Sequence, residues 1–305
     1  MNRLGFAGIS VACGAAAAAP YLIAMTGSTG SLILVYLAQL PLFVAGLWLG
    51  TISSAVAGCV ALLLLAVAGS PVGAVVFAVL NAIPVTLLVR QCLLARAGPG
   101  DRLEWYPPGL LTAWLTGFGL AAAAASVVLL GGQGGMQTEL REILAPVLDR
   151  RLDGFTAEPE ELLTFVAFVL PGIAAASWMV MTATNGALAQ GLLARFGTSW
   201  RPSPDLAALG LPMWIPVLLA GAAGATFLAG TARFFGVNVI IILAVPFCLA
   251  GLAVLHTAAR RFPRPAVTLA MFYALAAVFG WPLLLIAVLG LLDSPLDLRR
   301  RLAQP

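Results

Sequence analysis

Five amide side chains, Gln39, Asn81, Asn185, Gln190 and Asn238, are the polar groups able to do chemistry within the apolar runs of this chain. An amide carries two N–H donors and a carbonyl acceptor, so it can hold a neutral polar solute or tie one helix to another. Between membrane helices the second use is worth about 0.6 kcal/mol on average. Asn81 and Asn185 are the strongest binding candidates, because each sits deep in an otherwise apolar run. The predicted substrate-binding set is Gln39, Asn81, Asn185 and Gln190. Ionisable chemistry is scarce. His256 is the only histidine and lies beside Arg260 and Arg261, which reads as a position at the membrane interface. Cys13, Cys59, Cys92 and Cys248 have no metal-ligand spacing and read as small buried hydrophobes. Ser53 and Ser54 have no base nearby and read as helix-to-helix hydrogen-bonding groups. Asp101, Arg102 and Glu104 form the one compact charged cluster on the expected cytoplasmic side, and a solvated loop accounts for it. The expectation is a protein that is not an enzyme and has no catalytic residue, cofactor or metal.

The elements that must position these amides follow from composition. Of 305 residues, 61% are hydrophobic and 9% charged, and the mean hydropathy is +1.03. Soluble domains carry about 25% charged residues, so too little polar surface exists to cover a water-facing globule. All 16 basic residues are Arg. They stand singly or in threes at segment ends, which excludes the clustered basic face of a nucleic-acid binder. The fold class expected is all-α: a polytopic transmembrane helical bundle of about eight to ten membrane segments in a bacterial cytoplasmic (inner) membrane.

No charged residue lies between Arg3 and Arg90. A charge at the bilayer centre costs about 2.5–3.5 kcal/mol on insertion scales, so repeated crossing explains the gap. Turn signals at 26–30, 50–51 and 69–71 divide the run into Leu4–Met25, Ser31–Leu49, Ile52–Ala68 and Val72–Val89. The first run resembles a signal peptide but continues through Pro20 to Met25, so a retained first helix is expected. Trp105 and Tyr106 read as an interfacial anchor ahead of a fifth span, Gly109–Leu130, which Gly131–Gly135 closes. Met136–Glu161 has apolar residues at helical spacing between charges and reads as an amphipathic surface helix bent at Pro146, or as a structured loop helix. Leu162–Ala194 is charge-free and too long for one perpendicular crossing; tilting, a kink near Pro171-Gly172 or projection into the cytoplasm would each accommodate it. Leu206–Ala232, Phe234–Ala259 and Pro265–Leu292 follow, the last interrupted by Gly280-Trp281-Pro282.

Arg3, the group Arg90, Arg96 and Arg102, the pair Arg195 and Arg201, and the group Arg260, Arg261 and Arg264 all share one side if the N-terminus is cytoplasmic. The acidic 136–161 loop is then external. Arg299-Arg300-Arg301 joins the cytoplasmic side only if Gly280-Trp281-Pro282 splits the last segment into two short helices, which is the arrangement expected.

Small residues recur along the first span: Gly8, Ala12 and Ala16, with Ala15 and Ala19. Such a stripe lets a second helix approach closely, either within the bundle or from a partner.

Four short stretches carry a family resemblance. Pro41-Leu42-Phe43 with Gly46, Gly50 and Gly58 looks like the second-to-third helix region of the YybS-like family of bacterial membrane proteins. Asn81-Ala82-Ile83-Pro84 running to Arg90 resembles its fourth span. Leu170-Pro171, Asn185 and Leu192-Leu193-Ala194-Arg195 resemble its sixth, and Gly290-Leu291-Leu292-Asp293 with Asp297 and Arg299 resembles its C-terminal signature. That family is distantly similar to the substrate-binding subunits of energy-coupling-factor vitamin transporters. The resemblance implies a six-helix membrane core over residues 1–200, with further C-terminal transmembrane helices in 201–305. It also implies that the stripe of the first helix meets a membrane coupling subunit. No vitamin-binding residue carries over.

The functional expectation is a transport-related module that binds a small solute among its helices, with the lipid bilayer as its surroundings. The alternative is a membrane scaffold or regulator of the cell envelope.

Overall fold

The computed structural model describes residues 3–27, 30–98, 100, 102–130, 140, 142, 144, 159–205 and 208–303. The Gly131–Gly135 turn, most of the 136–161 segment and Asp101 lie outside them.

The helices are α1 (Arg3–Ala24), α2 (Ser31–Tyr36), α3 (Leu40–Leu49), α4 (Thr51–Val67), α5 (Pro71–Phe77), a π-helical turn (Ala78–Ala82), α6 (Ile83–Cys92), α7 (Pro108–Leu130), α8 (Pro159–Arg195), α9 (Trp214–Ala225), α10 (Thr231–Ala259), α11 (Pro265–Phe279), α12 (Pro282–Leu296) and α13 (Leu298–Ala303). Among the described residues the only sheet is a two-stranded antiparallel hairpin, β1 (Ala95–Ala97) with β2 (Leu103–Trp105). Among the described residues five helices are long and apolar enough to cross a membrane, or six with the bent pair α11–α12 counted as one span. Three shorter apolar helices accompany them: Ile33–Leu49, Thr51–Val67 and Trp214–Ala225. Large apolar side chains stand outward, Phe227 at 90% and Val67 at 79% exposure. That surface is costly in water and free of cost in hydrocarbon.

The chain divides into two compact units, Met1–Leu115 with Val180–Ala208, and Thr116–Met179 with Leu209–Pro305. In the first, α1 packs along α4. Gly14 permits the approach: a Cβ there would lie 2.5 Å from the Ala57 carbonyl oxygen. Ser10 and Ser53 share a buried 2.7 Å hydroxyl contact at the same interface, and Ser54 lies 3.4 Å from the Thr86 hydroxyl, as helix-to-helix serines should. The stripe Gly8, Ala12, Ala15 and Ala16 faces outward instead, and nothing comes within 4 Å of a Cβ built on Gly8.

Two expected spans are interrupted here, both by proline. A proline has no N–H for the carbonyl four residues earlier. At Pro41 the chain tightens, Leu40 N–H donating to Leu37 O at 3.0 Å, and the span splits into α2 and α3. At Pro84 the helix widens into the Ala78–Ala82 π-turn, closed by Ile83 N–H on Ala78 O.

In the second unit, α10 and α12 cross glycine on glycine. A Cβ on Gly251 would strike the Ile286 carbonyl, and one on Gly290 the Phe247 carbonyl. Close backbone approach of this kind is the main attraction available where apolar contact alone gives no preference for a partner helix. Gly280, at φ 67°, ends α11, and α12 departs at 120°, the break expected at Gly280-Trp281-Pro282. Asp293 then grips the start of α13: Oδ1 accepts the Arg299 N–H at 3.0 Å and Oδ2 accepts Nε at 2.7 Å. The expected span Leu206–Ala232 is not one helix: among its described residues the helices are Trp214–Ala225 and the first two residues of α10, with Gly210 and Pro212 before the first and Gly230 at φ 64° between them. Leu162–Ala194 lies within the single 37-residue α8, about 55 Å long at 1.5 Å per residue.

Candidate functional site

The two proline breaks of the first unit define the site. With no N–H at residue 84, the Leu80 carbonyl lacks its ordinary helical donor. Gln39, in the turn between α2 and α3, reaches across and donates its Nε2–H to that carbonyl at 3.2 Å. One helix break thus supplies the side chain that serves the other. Gln39 is fully buried.

Asn81 follows Leu80 on the π-turn and is also fully buried. Its Nδ2 donates to the Tyr21 hydroxyl of α1 at 2.9 Å. Tyr21 is fixed by an edge-on contact with Phe77, ring centroids 5.2 Å apart. Asn185 comes from α8 and is 1% exposed. Its Nδ2 donates to two carbonyls, Tyr36 O at 2.7 Å and Met181 O at 2.8 Å. Tyr36 ends α2, three residues before Gln39. Beside Asn185, a Cβ on Gly186 would touch the Phe43 ring at 3.5 Å, so α8 lies against α3 at this level. Asn185, Tyr36, Gln39, Leu80, Asn81 and Tyr21 therefore form one string, joined by hydrogen bonds and short stretches of backbone.

On all three amides the nitrogen is occupied and the oxygen is not. Gln39 Oε1, Asn81 Oδ1 and Asn185 Oδ1 are buried and accept no hydrogen bond among the described residues. For Gln39 and Asn185 the orientation is forced, since the nitrogen faces carbonyl oxygens that an amide oxygen would repel. For Asn81 it rests on a hydroxyl, which can donate as well as accept. A buried acceptor left unmet costs about 1–3 kcal/mol, so three on one string are an unusual concentration.

Asn238, in the second unit, is the contrast. Its Nδ2 donates to Phe168 O at 2.9 Å and Phe234 O at 2.8 Å, and its Oδ1 accepts the Gly172 N–H at 2.6 Å. Gly172 N–H and Phe168 O would be partners in an unbroken α8; the amide stands between them. Gly172 leaves room for it, because a Cβ there would lie 2.9 Å from Asn238 Oδ1. Asn238 is therefore a helix clasp with no capacity left over.

Gln190 does not join the string. Its Nε2 donates to the Arg201 carbonyl at 2.7 Å. Arg201 is 4% exposed and donates through Nη1 to Cys92 O at 3.0 Å and through Nη2 to Tyr106 O at 2.9 Å. A guanidinium on the last carbonyls of α6 is favoured by the helix dipole. Gln190 and Arg201 thus bind the segment after α8 to the end of α6.

Elsewhere, His256 Nδ1 lies 2.8 Å from Leu252 O and Nε2 3.5 Å from the Tyr273 hydroxyl. Glu104 pairs with Arg96 at 2.8 Å across the hairpin rather than with its chain neighbour Arg102. An open cleft of about 650 Å³ beside that hairpin is lined by Leu94, Trp105, Tyr106 and Pro107 among others. Its two charged residues, Arg96 and Glu104, are those already paired.

Tyr21, the Tyr36 carbonyl and Arg201 escaped the sequence reading. The signal was present in Pro41 and Pro84, each of which unsettles the backbone beside a predicted amide. Comparison of the chain with protein-family models, with curated proteins and with solved structures found no match.

Proposed function

We propose that this protein is a multi-pass membrane protein whose first unit binds a small polar solute as part of a transport process. The observation that carries the reading is the set of three buried amide oxygens, on Gln39, Asn81 and Asn185, that meet no donor among the described residues. In a charge-free apolar bundle such oxygens are costly unless a ligand meets them. The helix breaks at 37–39 and 78–84 are where the backbone has the freedom to admit one, and π-turns within helices occur frequently at functional sites. The segments that resemble the YybS-like family, Pro41 to Phe43, Asn81 to Pro84 and Asn185, coincide with this string. In this reading the three shorter apolar helices also cross, within the expected count of about eight to ten segments. The N-terminus and the Arg-rich ends then face the cytoplasm of a bacterial inner membrane.

Thermal unfolding of the purified protein in detergent, across a panel of vitamins and small metabolites, tests the reading. A ligand at a hundred times its Kd stabilises by about 2.7 kcal/mol. At least one compound is expected to do so, with the effect lost in Asn185→Leu. No stabilisation by any compound would defeat it.

A second reading rests on α1, whose Gly8, Ala12, Ala15 and Ala16 are uncovered. They suit a partner helix, either a membrane coupling subunit for transport or an envelope protein for which this chain is a scaffold. Crosslinking from Ala12→Cys with mass spectrometry separates the two by the partner recovered.

A further inference from the structure

We infer that the ligand of the Gln39–Asn81–Asn185 string is a hydrogen-bond donor and not an anion: a small solute that presents N–H or O–H groups to three amide oxygens. The inference rests on the binding reading above and names the chemistry of the occupant.

Asn185 spends both of its N–H groups on the protein, on Tyr36 O and Met181 O, while Gln39 spends one on Leu80 O and Asn81 one on the Tyr21 hydroxyl. The atom with no partner among the described residues is, on each amide, the oxygen. An unmet amide oxygen recognises a donor, and an acceptor-only group placed against it would leave both atoms unpaired. Charge points the same way. The chain from Leu4 to Val89 and from Leu162 to Ala194, which supplies every member of the string, contains no Arg, Lys, Asp or Glu. An anion would meet three partial negative charges with no cation on these elements to balance it. An uncharged donor meets no such penalty, and a protonated amine is held by the carbonyl-type oxygens themselves, as cations are in carbonyl-lined filters. Asn238 shows that the fold can saturate a buried amide where it needs only a clasp.

Four probes of similar size separate the chemistries: acetamide (neutral donor), ethylammonium (cationic donor), N,N-dimethylacetamide (neutral, no donor) and acetate (anion). Each is added to the detergent-solubilised full chain at matched concentration and ionic strength, and Tm is read. Acetamide, ethylammonium or both are expected to raise Tm by about 5 °C at a hundredfold excess over Kd. The other two are expected to leave it unchanged. Gln39→Leu and Asn185→Leu should remove the response, and Asn238→Leu should retain it. Asn81→Asp keeps two oxygens at the site and still engages Tyr21; it should retain a response and favour ethylammonium over acetamide by about tenfold. If acetate or N,N-dimethylacetamide stabilises and the amide variants abolish the effect, the donor rule is overturned while the binding site stands. If none of the four shifts Tm, the donor rule is likewise overturned, and the metabolite panel then decides separately whether the string binds anything.

Discussion

Asn238 and Asn185 are the same side chain in the same kind of place, a buried helix position beside irregular backbone, yet their oxygens are treated differently. In the second unit the Asn238 amide enters the helix-opening turn of α8 and uses both ends, nitrogen on Phe168 and Phe234 carbonyls and oxygen on the Gly172 N–H. In the first unit Asn185, Gln39 and Asn81 use only the nitrogen end. The difference is between polar groups spent on holding the fold and polar groups held in reserve. Proline sets the scene in both units, since Pro171 and Pro84 each remove a helical N–H. What differs is whether the neighbouring backbone also presents a donor, and at Pro171 it does, through Gly172.

Removing each amide should therefore have unequal cost. Asn238→Leu is expected to lose the most stability, about 3 kcal/mol, because a leucine of similar size still separates the Gly172 N–H from the Phe168 carbonyl and pairs with neither. Reversible unfolding in mixed micelles measures it, and a loss below that of Asn185→Leu would break the comparison. Gly172→Ala comes next at about 2 kcal/mol, since the new Cβ would overlap Asn238. Gly117→Ala in α7 is its control, having nothing within 4 Å, and should be neutral or slightly stabilising by the same assay.

Gln39→Leu and Asn185→Leu are smaller, about 1 kcal/mol each, because the substitution strands carbonyls but also deletes a costly orphan oxygen. Pro84→Ala should change stability by less than about 0.5 kcal/mol. It restores a donor to Leu80, competes with Gln39, and is expected to weaken the Tm response to ligand even though residue 84 touches none. An undiminished response would detach the helix break from the site.

Much of this arrangement is legible in the sequence. The charge-free runs mark the apolar helices, and the amides stand out against them because little else is polar. Gly280-Trp281-Pro282 announces the bend, since a glycine able to take positive φ precedes a proline suited to start a helix. What the sequence hides is partnership over distance. Pro171 reads as a kink, yet α8 runs on through it, and Asn238, far along the chain, bridges the adjoining Gly172 N–H and Phe168 carbonyl. Gln190 looks like Gln39, but its partner is the Arg201 backbone, and only the fold reveals that a buried arginine needs the neighbouring segment held in place. Leu206–Ala232 is apolar enough for a span, but apolarity does not make a helix where Gly210, Pro212 and Gly230 stand.

The most direct test is an experimental map of the protein at a resolution that shows individual solute and water atoms around Gln39, Asn81 and Asn185. The account predicts a non-protein donor within about 2.7–3.2 Å of Gln39 Oε1 and Asn185 Oδ1, and none at Asn238. Amide oxygens in the first unit turned onto protein N–H or O–H groups, as fully paired as Asn238, would contradict it.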